Sequence, residues 1–187
     1  MTQPNPITAL VIVDVQEGML DLPGIGPVGR DELLANICTL IDGARSANYP
    51  IVYIQHEGVA GQALAKTVPG HAIAREIAPR AEDKVVSKAE CGMFKATELE
   101  KVLTELDVRR LIICGMQTEF CVDTAVRTAA DRGYKVIIAA GAHATFDTGS
   151  LSAGSIADHH EAVWQQAFGQ VVDVHDIEFR EGASVSA

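Results

Sequence analysis

The sequence predicts a single three-layer α/β/α domain of Rossmann-like architecture, in which helices cover both faces of a six-stranded parallel sheet. Six short apolar runs alternate with segments of helical periodicity, the pattern of repeated βαβ units. The chain has 187 residues, which is enough for one large core and too few for two. Hydrophobic residues make up 48% of the chain, which is typical of a folded protein with a well-filled interior.

The six predicted strands are nearly continuous apolar runs, as expected of strands buried on both faces of a parallel sheet. They cover residues 7–13, 51–54, 84–87, 111–114, 135–139 and 170–173. Helices are predicted near residues 30–47, 97–106, 120–132 and 152–168. The second helix opens with Thr97-Glu98-Leu99-Glu100, which has the pattern of a capping box. Right-handed crossovers would join these elements.

Two segments have neither pattern. Residues 56–80 are interrupted by glycines and prolines and show only a weak helical period, so we predict a cap or binding loop there. Residues 180–187 are small and polar and are predicted to form a tail that is disordered or reaches a neighbouring subunit. Neither a repeat nor a linker divides the chain, so residues 1–187 are predicted to be one domain.

The charge balance excludes some classes of partner. The chain carries 15 Lys and Arg against 25 Asp and Glu, a formal net charge of −10, which disfavours nucleic acid and anionic membranes. The apolar run at residues 7–13 ends at Asp14 and is too short for a membrane span or a signal sequence. We therefore expect a cytoplasmic protein with a small-molecule substrate. Its four cysteines form no CxxC pair and are expected to be reduced thiols.

Three reactive residues follow predicted strands. Asp14 ends the first strand, Lys88 ends the third, and Cys121 follows the fourth by one helical turn. The carboxyl ends of parallel strands form the ligand-binding edge of such sheets, so these side chains are expected to converge. Taken singly, Asp14 fits a cap, Lys88 a solvated charge and Cys121 a small core residue. Together, a lysine lowers the pKa of a thiol and a carboxylate accepts its proton, which makes Cys121 a candidate nucleophile.

The segments around these residues resemble a known family. The segments Val13-Asp14-Val15-Gln16, Val85-Val86-Ser87-Lys88 and Gly115-Met116-Gln117-Thr118-Glu119-Phe120-Cys121-Val122-Asp123-Thr124 are similar to the isochorismatase-like cysteine hydrolases. That superfamily includes nicotinamidases, carbamoylsarcosine amidases and ureidoacrylate amidases. The resemblance extends from Ile7 to about Val174.

The resemblance implies a set of functional residues. Asp14, Lys88 and Cys121 would form a catalytic triad. A cis peptide would join Met116 to Gln117, and the backbone N–H groups of Gln117 and Cys121 would form the oxyanion hole. It also implies a homo-oligomer, a dimer or tetramer.

The reaction that the resemblance implies is cleavage of a C–N bond in an amide, ureide or carbamoyl compound. Cys121 would form a thioester, with Asp14 as general base and acid and Lys88 stabilising the thiolate. One alternative is a vinyl ether hydrolase of the isochorismatase type, which needs no thioester. Another is a non-catalytic flavodoxin-like module in which Cys121 is oxidised as a redox sensor. A nucleotide-binding Rossmann domain is disfavoured because the turn after the first strand lacks GxGxxG.

The sequence departs from nicotinamidases in two places. Those enzymes bind a metal after the second strand, whereas this chain has His56 and Glu57 there and His71 further on; these three could meet a metal, but we expect none and no other cofactor. The aromatic sandwich for a pyridine ring is also incomplete. The candidate lining of the substrate pocket is Gln16, Met19, Phe94, Phe120 and Phe146.

Overall fold

A computed structural model describes residues 7–25 and 29–180. Its centre is a sheet of six parallel strands in the order β3-β2-β1-β4-β5-β6. The strands are β1 (Ile7–Val13), β2 (Ile51–His56), β3 (Lys84–Lys88), β4 (Val108–Met116), β5 (Lys135–Ala144) and β6 (Gln170–Asp173). The predicted three-layer α/β fold is confirmed.

Helices cover both faces of this sheet. The α-helices are α1 (Glu17–Leu20), α2 (Gly29–Ser46), α3 (Leu99–Glu105), α4 (Asp123–Asp131) and α5 (Ala153–Ala167). A π-helical turn at Thr118–Val122 precedes α4, and 3₁₀ turns lie at Pro69–His71, Arg75–Ile77 and Val174–Asp176. Helix α2 packs on one face of the sheet, and α3, α4 and α5 pack on the other.

The alternating side chains of β1 contribute to two separate cores. Leu10 and Ile12 pack with the apolar residues of α2, whereas Val11 and Val13 pack with the opposite layer, which contains Trp164. Each of these side chains is at most 1% exposed. Burial of a large aliphatic side chain stabilises a fold by about 1.5–3 kcal/mol, so β1 is fixed firmly from both sides.

The two outermost strands differ from the prediction. β3 and β6 were expected to be buried on both faces, but Val85 in β3 is 46% exposed and β6 is only partly covered. Both strands are edges of the sheet, where the side chains are less completely covered than in the central strands. The expectation was wrong because an apolar run does not by itself tell an edge strand from a central one.

Several element boundaries also differ. Strand β5 continues five residues beyond the predicted end, to Ala144, and includes His143. Helix α3 begins at Leu99, and the predicted capping box does not form. Thr97 Oγ1 accepts a hydrogen bond from the Leu99 N–H and donates one to the Met93 carbonyl, while Glu100 pairs with Arg132.

The order of the strands reverses between β1 and β4. The chain passes outward from β1 through β2 to β3 and then crosses back to place β4 on the other side of β1. At the carboxyl end of this pair, Val13 lies beside Gly115, which has φ 123°. A Cβ at Gly115 would overlap the carbonyl oxygen of Val13, so only glycine permits this close approach. The residues following both strands are thereby brought together.

The connection between β2 and β3 covers the carboxyl ends of the strands. It corresponds to the cap predicted at 56–80, and its backbone pairs with α1, where the Glu17 N–H donates to the Ala72 carbonyl at 2.9 Å. Gly18 and Gly70 touch so closely that a Cβ at Gly18 would lie 3.0 Å from the Gly70 carbonyl oxygen. Most of the polar tail predicted at 180–187 lies outside the described residues. Among the described helices, none is long and apolar enough to cross a membrane.

Candidate active site

Asp14 stands at the carboxyl end of β1 in a left-handed backbone conformation, with φ 52°. Aspartate tolerates this region better than most residues that carry a Cβ. Its N–H donates to the Ile54 carbonyl of the neighbouring strand at 3.0 Å. The sharp turn leaves the carboxylate at the edge of the sheet, where it is only 3% exposed.

Lys88, the last residue of β3, reaches the same place across β2. Its Nζ lies 2.6 Å from Oδ2 of Asp14 and 3.2 Å from Sγ of Cys121. The ammonium also donates to the carbonyl of Glu90 at 3.0 Å and lies 3.3 Å from Nδ1 of His56. The structure therefore brings together all three side chains of the predicted triad.

Cys121 lies in the π turn that follows β4 and is half-buried. The sequence placed it in the first turn of an α-helix starting at 120, but α4 begins only at Asp123. The wider turn allows the Val122 N–H and the Phe120 N–H to donate to the same carbonyl, that of Gln117. Wide turns of this kind occur often at functional sites.

The electrostatics of the site are dominated by burial. Burial raises the pKa of Asp14 although the nearby charge of Lys88 opposes the shift. Burial alone would lower the pKa of Lys88, but the charges of Asp14 and Cys121 outweigh it and the pKa is raised. Burial and the charge of Asp14 raise the pKa of the Cys121 thiol.

This last direction corrects an expectation from the sequence. The lysine beside Cys121 was expected to lower the pKa of the thiol. Lys88 does lower the pKa of Cys121, but burial and the charge of Asp14 are the stronger influences. The thiol is therefore a weaker acid than that of a free cysteine, and it lies beside an Asp14–Lys88 ion pair.

The peptide bond between Met116 and Gln117 is cis, as the family resemblance implies. Gln117 is the residue before the π turn, with an extended backbone at φ −90° and ψ 149°. Met116 ends β4 and is fully buried. Gln117 and Cys121 both border the open space in front of the sheet.

That open space is a cavity of about 310 Å³, a volume suited to a small molecule. Its described lining consists of Asp14, Met19, His56, Leu64, Cys91, Met116, Gln117, Phe120 and Cys121. Leu64 comes from the covering loop, so this loop forms part of the wall. Phe120 is 51% exposed and stands at the cavity beside the thiol.

The pocket residues predicted from the sequence divide into two groups. Met19 and Phe120 line the cavity, but Gln16, Phe94 and Phe146 do not. Phe94 stacks on Tyr134 with ring centroids 6.0 Å apart and lies beneath the guanidinium of Arg132. Phe146 packs against the core on the α2 face. Both aromatic rings fill space between elements, which sequence patterning does not distinguish from lining a pocket.

Gln16 is fully buried and holds the covering loop to the sheet. Its Oε1 accepts from the His56 N–H at 2.8 Å, and its Nε2 donates to the carbonyls of His56 and His71 at 3.1 and 2.8 Å. Gln55 also donates to the His71 carbonyl, at 2.9 Å. The amide of Gln16 thus has a structural role, and its assignment to the substrate pocket was wrong.

The possible metal ligands make contacts with other groups. His56 faces the Lys88 ammonium, Glu57 pairs with Lys66 at 2.7 Å, and Nδ1 of His71 lies 3.3 Å from Nε2 of Gln55. Among residues 7–25 and 29–180, the structure holds no group of three or more metal-ligating side chains. A cation beside Lys88 would also meet its positive charge.

A second polar network ties α5 to the segment that carries the thiol. Nδ1 of His143 lies 3.0 Å from the hydroxyl of Thr118, and its Nε2 lies 3.0 Å from Oε1 of Glu161. Trp164 donates from its indole N–H to Oδ1 of Asp123 at 2.8 Å. Thr118 and Asp123 lie on either side of Cys121 in sequence, so α5 holds this segment at two points.

Sequence reasoning missed this network. His143 and Thr118 lie far apart in the sequence, and the set of functional residues that the resemblance implies contains neither of them. The available signal was a polar histidine directly after the apolar run of β5, since a histidine buried in a strand end needs hydrogen-bond partners.

These features define a class of protein: a parallel α/β domain with a cysteine beside a buried Asp–Lys pair at the point where strand order reverses. An isochorismatase domain model matches residues 8–178. Streptothricin hydrolase from Streptomyces noursei is 34% identical over 143 residues, which are 76% of this chain and 56% of that protein. This chain therefore spans little more than half the length of that relative.

Two further comparisons cover more of the partner protein. Ureidoacrylate amidohydrolase RutB from Rhizobium rhizogenes is 29% identical, in a match that covers 68% of this chain and 68% of that protein. A solved isochorismatase from Pseudomonas putida is 29% identical with a TM-score of 0.85, and the match covers 95% of this chain and 94% of that one. The chain belongs to the isochorismatase family.

Proposed function

We propose that this protein is a cysteine hydrolase that cleaves the C–N bond of a small amide, ureide or carbamoyl compound through a thioester on Cys121. One observation carries the proposal: a single ammonium, that of Lys88, contacts both Oδ2 of Asp14 and Sγ of Cys121 beside an open cavity. A base, a nucleophile and a shared counter-charge are thereby held in reach of a bound molecule.

The first half of the reaction forms the thioester. The Cys121 proton passes to the Asp14 carboxylate while Sγ attacks the substrate carbonyl carbon, forming an S–C bond and an oxyanion. Protonated Asp14 then gives its proton to the leaving nitrogen, the C–N bond breaks, and ammonia or an amine departs.

The second half regenerates the thiol. Asp14 takes a proton from a water molecule, whose oxygen attacks the thioester carbonyl carbon. The S–C bond breaks, the acid product leaves, and the sulfur recovers its proton from Asp14. The reaction as written requires no metal or cofactor.

The shared ammonium makes the first proton transfer feasible. At rest the negative charge is on Asp14, and after the transfer it is on Cys121. Lys88 contacts both atoms, so the charge moves without leaving its counter-ion. Burial raises the pKa of Asp14 and so makes its carboxylate a stronger base than an exposed aspartate, which offsets part of the rise in the pKa of the thiol.

The oxyanion would be held by the backbone N–H groups of Gln117 and Cys121. Both residues border the cavity, and backbone donors fixed before charge develops stabilise such an intermediate efficiently. The two curated relatives add support, because their names describe a streptothricin hydrolase and a ureidoacrylate amidohydrolase.

Ammonia release from a panel of small amides, ureides and carbamoyl compounds tests the proposal. We expect turnover of at least one class by the wild-type protein and none by Cys121→Ala. Cys38→Ser is the matched control, because Cys38 lies on α2 on the opposite face of the sheet, and this variant should keep full activity. A thioester should also be trapped by mass spectrometry in the wild type; turnover that survives in Cys121→Ala would refute the mechanism.

A further inference from the structure

His56 lies beside the reacting groups, and its backbone is bonded to a buried side chain. It ends β2, lines the same cavity as Cys121, and has Nδ1 3.3 Å from the Nζ of Lys88. Its backbone N–H and carbonyl are both bonded to the side chain of Gln16. The sequence offered His56 only as a possible metal ligand.

The contact with Lys88 determines which nitrogen of His56 carries the hydrogen. An ammonium has three donors and no lone pair, so a hydrogen on Nδ1 would face it without an acceptor. Nδ1 therefore turns its lone pair toward the ammonium, whose three hydrogens are shared among Asp14, Cys121, the Glu90 carbonyl and His56, and Nε2 carries the hydrogen of the ring. Burial and the charge of Lys88 lower the pKa of His56, against the opposing charges of Asp14, Glu57 and Glu90, so the ring is neutral at neutral pH.

The donor on Nε2 is not used within the described part of the chain. The hydrogen bonds of His56 there involve Nδ1, the backbone N–H and the backbone carbonyl. In a ring that lines a cavity, with Nδ1 turned to Lys88, the opposite nitrogen is available to a bound molecule.

Charge restricts what this donor can meet. Asp14 is acidic, and none of the nine described lining residues is lysine or arginine. Lys88, just behind the lining, already contacts Asp14 and Cys121. A carboxylate placed beside His56 would thus be repelled by Asp14, and no unpaired lysine or arginine of the described lining would neutralise it.

We propose, building on the hydrolase function above, that His56 is a substrate-binding residue whose Nε2–H donates to an uncharged acceptor next to the scissile bond. The acceptor is a second carbonyl oxygen or a ring nitrogen. The preferred substrates are therefore small neutral amides with such an acceptor, and molecules with a carboxylate in that position are rejected.

Alkylation of Cys121 tests this without requiring turnover. Iodoacetamide forms an S–C bond to Cys121 with loss of iodide and presents a neutral carbonyl next to the reacting carbon, whereas iodoethane has no acceptor. In His56→Leu, we expect the iodoacetamide concentration for half-maximal inactivation to rise about 3- to 10-fold, as for loss of one hydrogen bond. The rate with iodoethane should be unchanged. Modification of Cys121 is followed by mass spectrometry.

Two further variants separate substrate binding from an effect on Lys88. The side chain of His56→Gln reaches about as far as Nε2 and should restore iodoacetamide affinity to within about twofold. His56→Asn is too short to replace Nε2 but retains an acceptor for Lys88, and should behave like His56→Leu. If His56→Leu slows both reagents equally, His56 acts through Lys88 and the inference is overturned; it is equally overturned if neither rate changes.

Iodoacetate provides the charge test. Relative to free cysteine, wild-type Cys121 should react at least about tenfold less with iodoacetate than with iodoacetamide, because like charges in a low-dielectric site repel. If Cys121 and free cysteine show the same ratio of reactivity toward iodoacetamide and iodoacetate, the site does not reject carboxylates. If every amide in the ammonia-release panel is inert while this selectivity holds, the proposed function fails and the donor role of His56 stands.

Discussion

The Nζ of Lys88 lies 2.6 Å from Oδ2 of Asp14, and both residues are only 3% exposed. These residues come from β1 and β3, which are separated by β2, so the ion pair spans three strands of the sheet. Each charge of such a buried pair needs the other, because burying either charge alone would cost several kcal/mol, about 3–5 when one partner is removed. The pair thus links the stability of the sheet edge to the chemistry of the thiol.

Replacing Lys88 by Met should lower the free energy of unfolding by about 3–5 kcal/mol at pH 8, because it strands the Asp14 carboxylate. The loss should be smaller at pH 5. Without its partner, Asp14 in the folded state has a pKa raised well above that of the unfolded chain, so its destabilising effect is absent at low pH and grows as pH rises. Urea denaturation at the two pH values measures this.

The double variant Asp14→Asn/Lys88→Met is the control for that result. Removing both charges should recover most of the stability lost in Lys88→Met, because no unpaired charge remains buried. The double variant should be inactive, because it lacks the carboxylate that accepts the thiol proton. A double variant as unstable as the single one would show that the loss comes from packing of the lysine stem rather than from charge.

The pH dependence of kcat/KM should reflect the raised pKa of Asp14. The base must be ionised to accept the thiol proton, so activity should rise with pH through a pKa above the ordinary value of 3.8. Because the pKa of Lys88 is raised above 10.5, the rate should not fall on account of Lys88 below that pH. Lys88 lowers the pKa of Asp14, so any residual activity of Lys88→Met should have its acid limb at higher pH.

A profile measured from pH 4 to pH 10 checks both limbs. The matched comparison is Lys88→Arg, which retains the positive charge and should keep the acid limb closer to that of the wild type. An acid limb at or below the ordinary pKa of an aspartate would contradict the assignment of Asp14 as the base.

The sheet and the convergence of Asp14, Lys88 and Cys121 could be predicted from the sequence because both depend on local patterns. Continuous apolar runs are typical of parallel strands. Asp14 and Lys88 directly follow such runs, and Cys121 follows one by a helical turn. Since strand ends meet at one edge, convergence of the three side chains required no knowledge of strand order.

The lining of the cavity could not be predicted in the same way. Phe94 and Phe120 are both aromatic residues near catalytic positions, yet Phe94 is 8% exposed in a core and Phe120 is 51% exposed at the cavity. Whether an aromatic side chain lines the cavity depends on the direction of the helices and the path of the loops, and not on residue type. Similarly, the roles of Gln16 and His56 depend on the path of the covering loop, which turns back against the sheet edge.

The direction of the pKa shift of the Cys121 thiol could not be predicted from the sequence either. The residues near Cys121 were correctly expected to include a cation, but the net direction depends on burial and on the distance to Asp14. These quantities appear only after folding.

The hydrogen bond from Trp164 to Asp123 gives a third prediction. Trp164→Phe removes the indole donor from a partly buried carboxylate and should lower the free energy of unfolding by about 1.5–3 kcal/mol. Because Asp123 comes two residues after Cys121, the alkylation rate of Cys121 should change as well. Thermal unfolding and iodoethane labelling measure the two effects.

Arg127→Ala is the matched control, since Arg127 contacts the same carboxylate at 2.8 Å from a more exposed position. Its loss should change stability by less than about 1 kcal/mol and leave the labelling rate unaltered. Equal effects of the two substitutions would show that the hydrogen bond from Trp164 of α5 is no more important to Asp123 than its contact with Arg127.

Gly115 is the position where the sheet should tolerate a side chain least. It has φ 123°, a region that residues with a Cβ rarely adopt, and a Cβ there would overlap the Val13 carbonyl. Gly115→Ala should therefore lower the free energy of unfolding by about 3 kcal/mol or more. It should also separate Asp14 from Cys121, so that labelling of Cys121 no longer depends on Asp14.

Gly149→Ala is the control, because a Cβ at Gly149 meets nothing within 4 Å. This variant should change the free energy of unfolding by less than about 0.5 kcal/mol. Urea unfolding of both variants measures the difference, and wild-type stability in Gly115→Ala would show that β1 and β4 can separate without cost at the active-site edge.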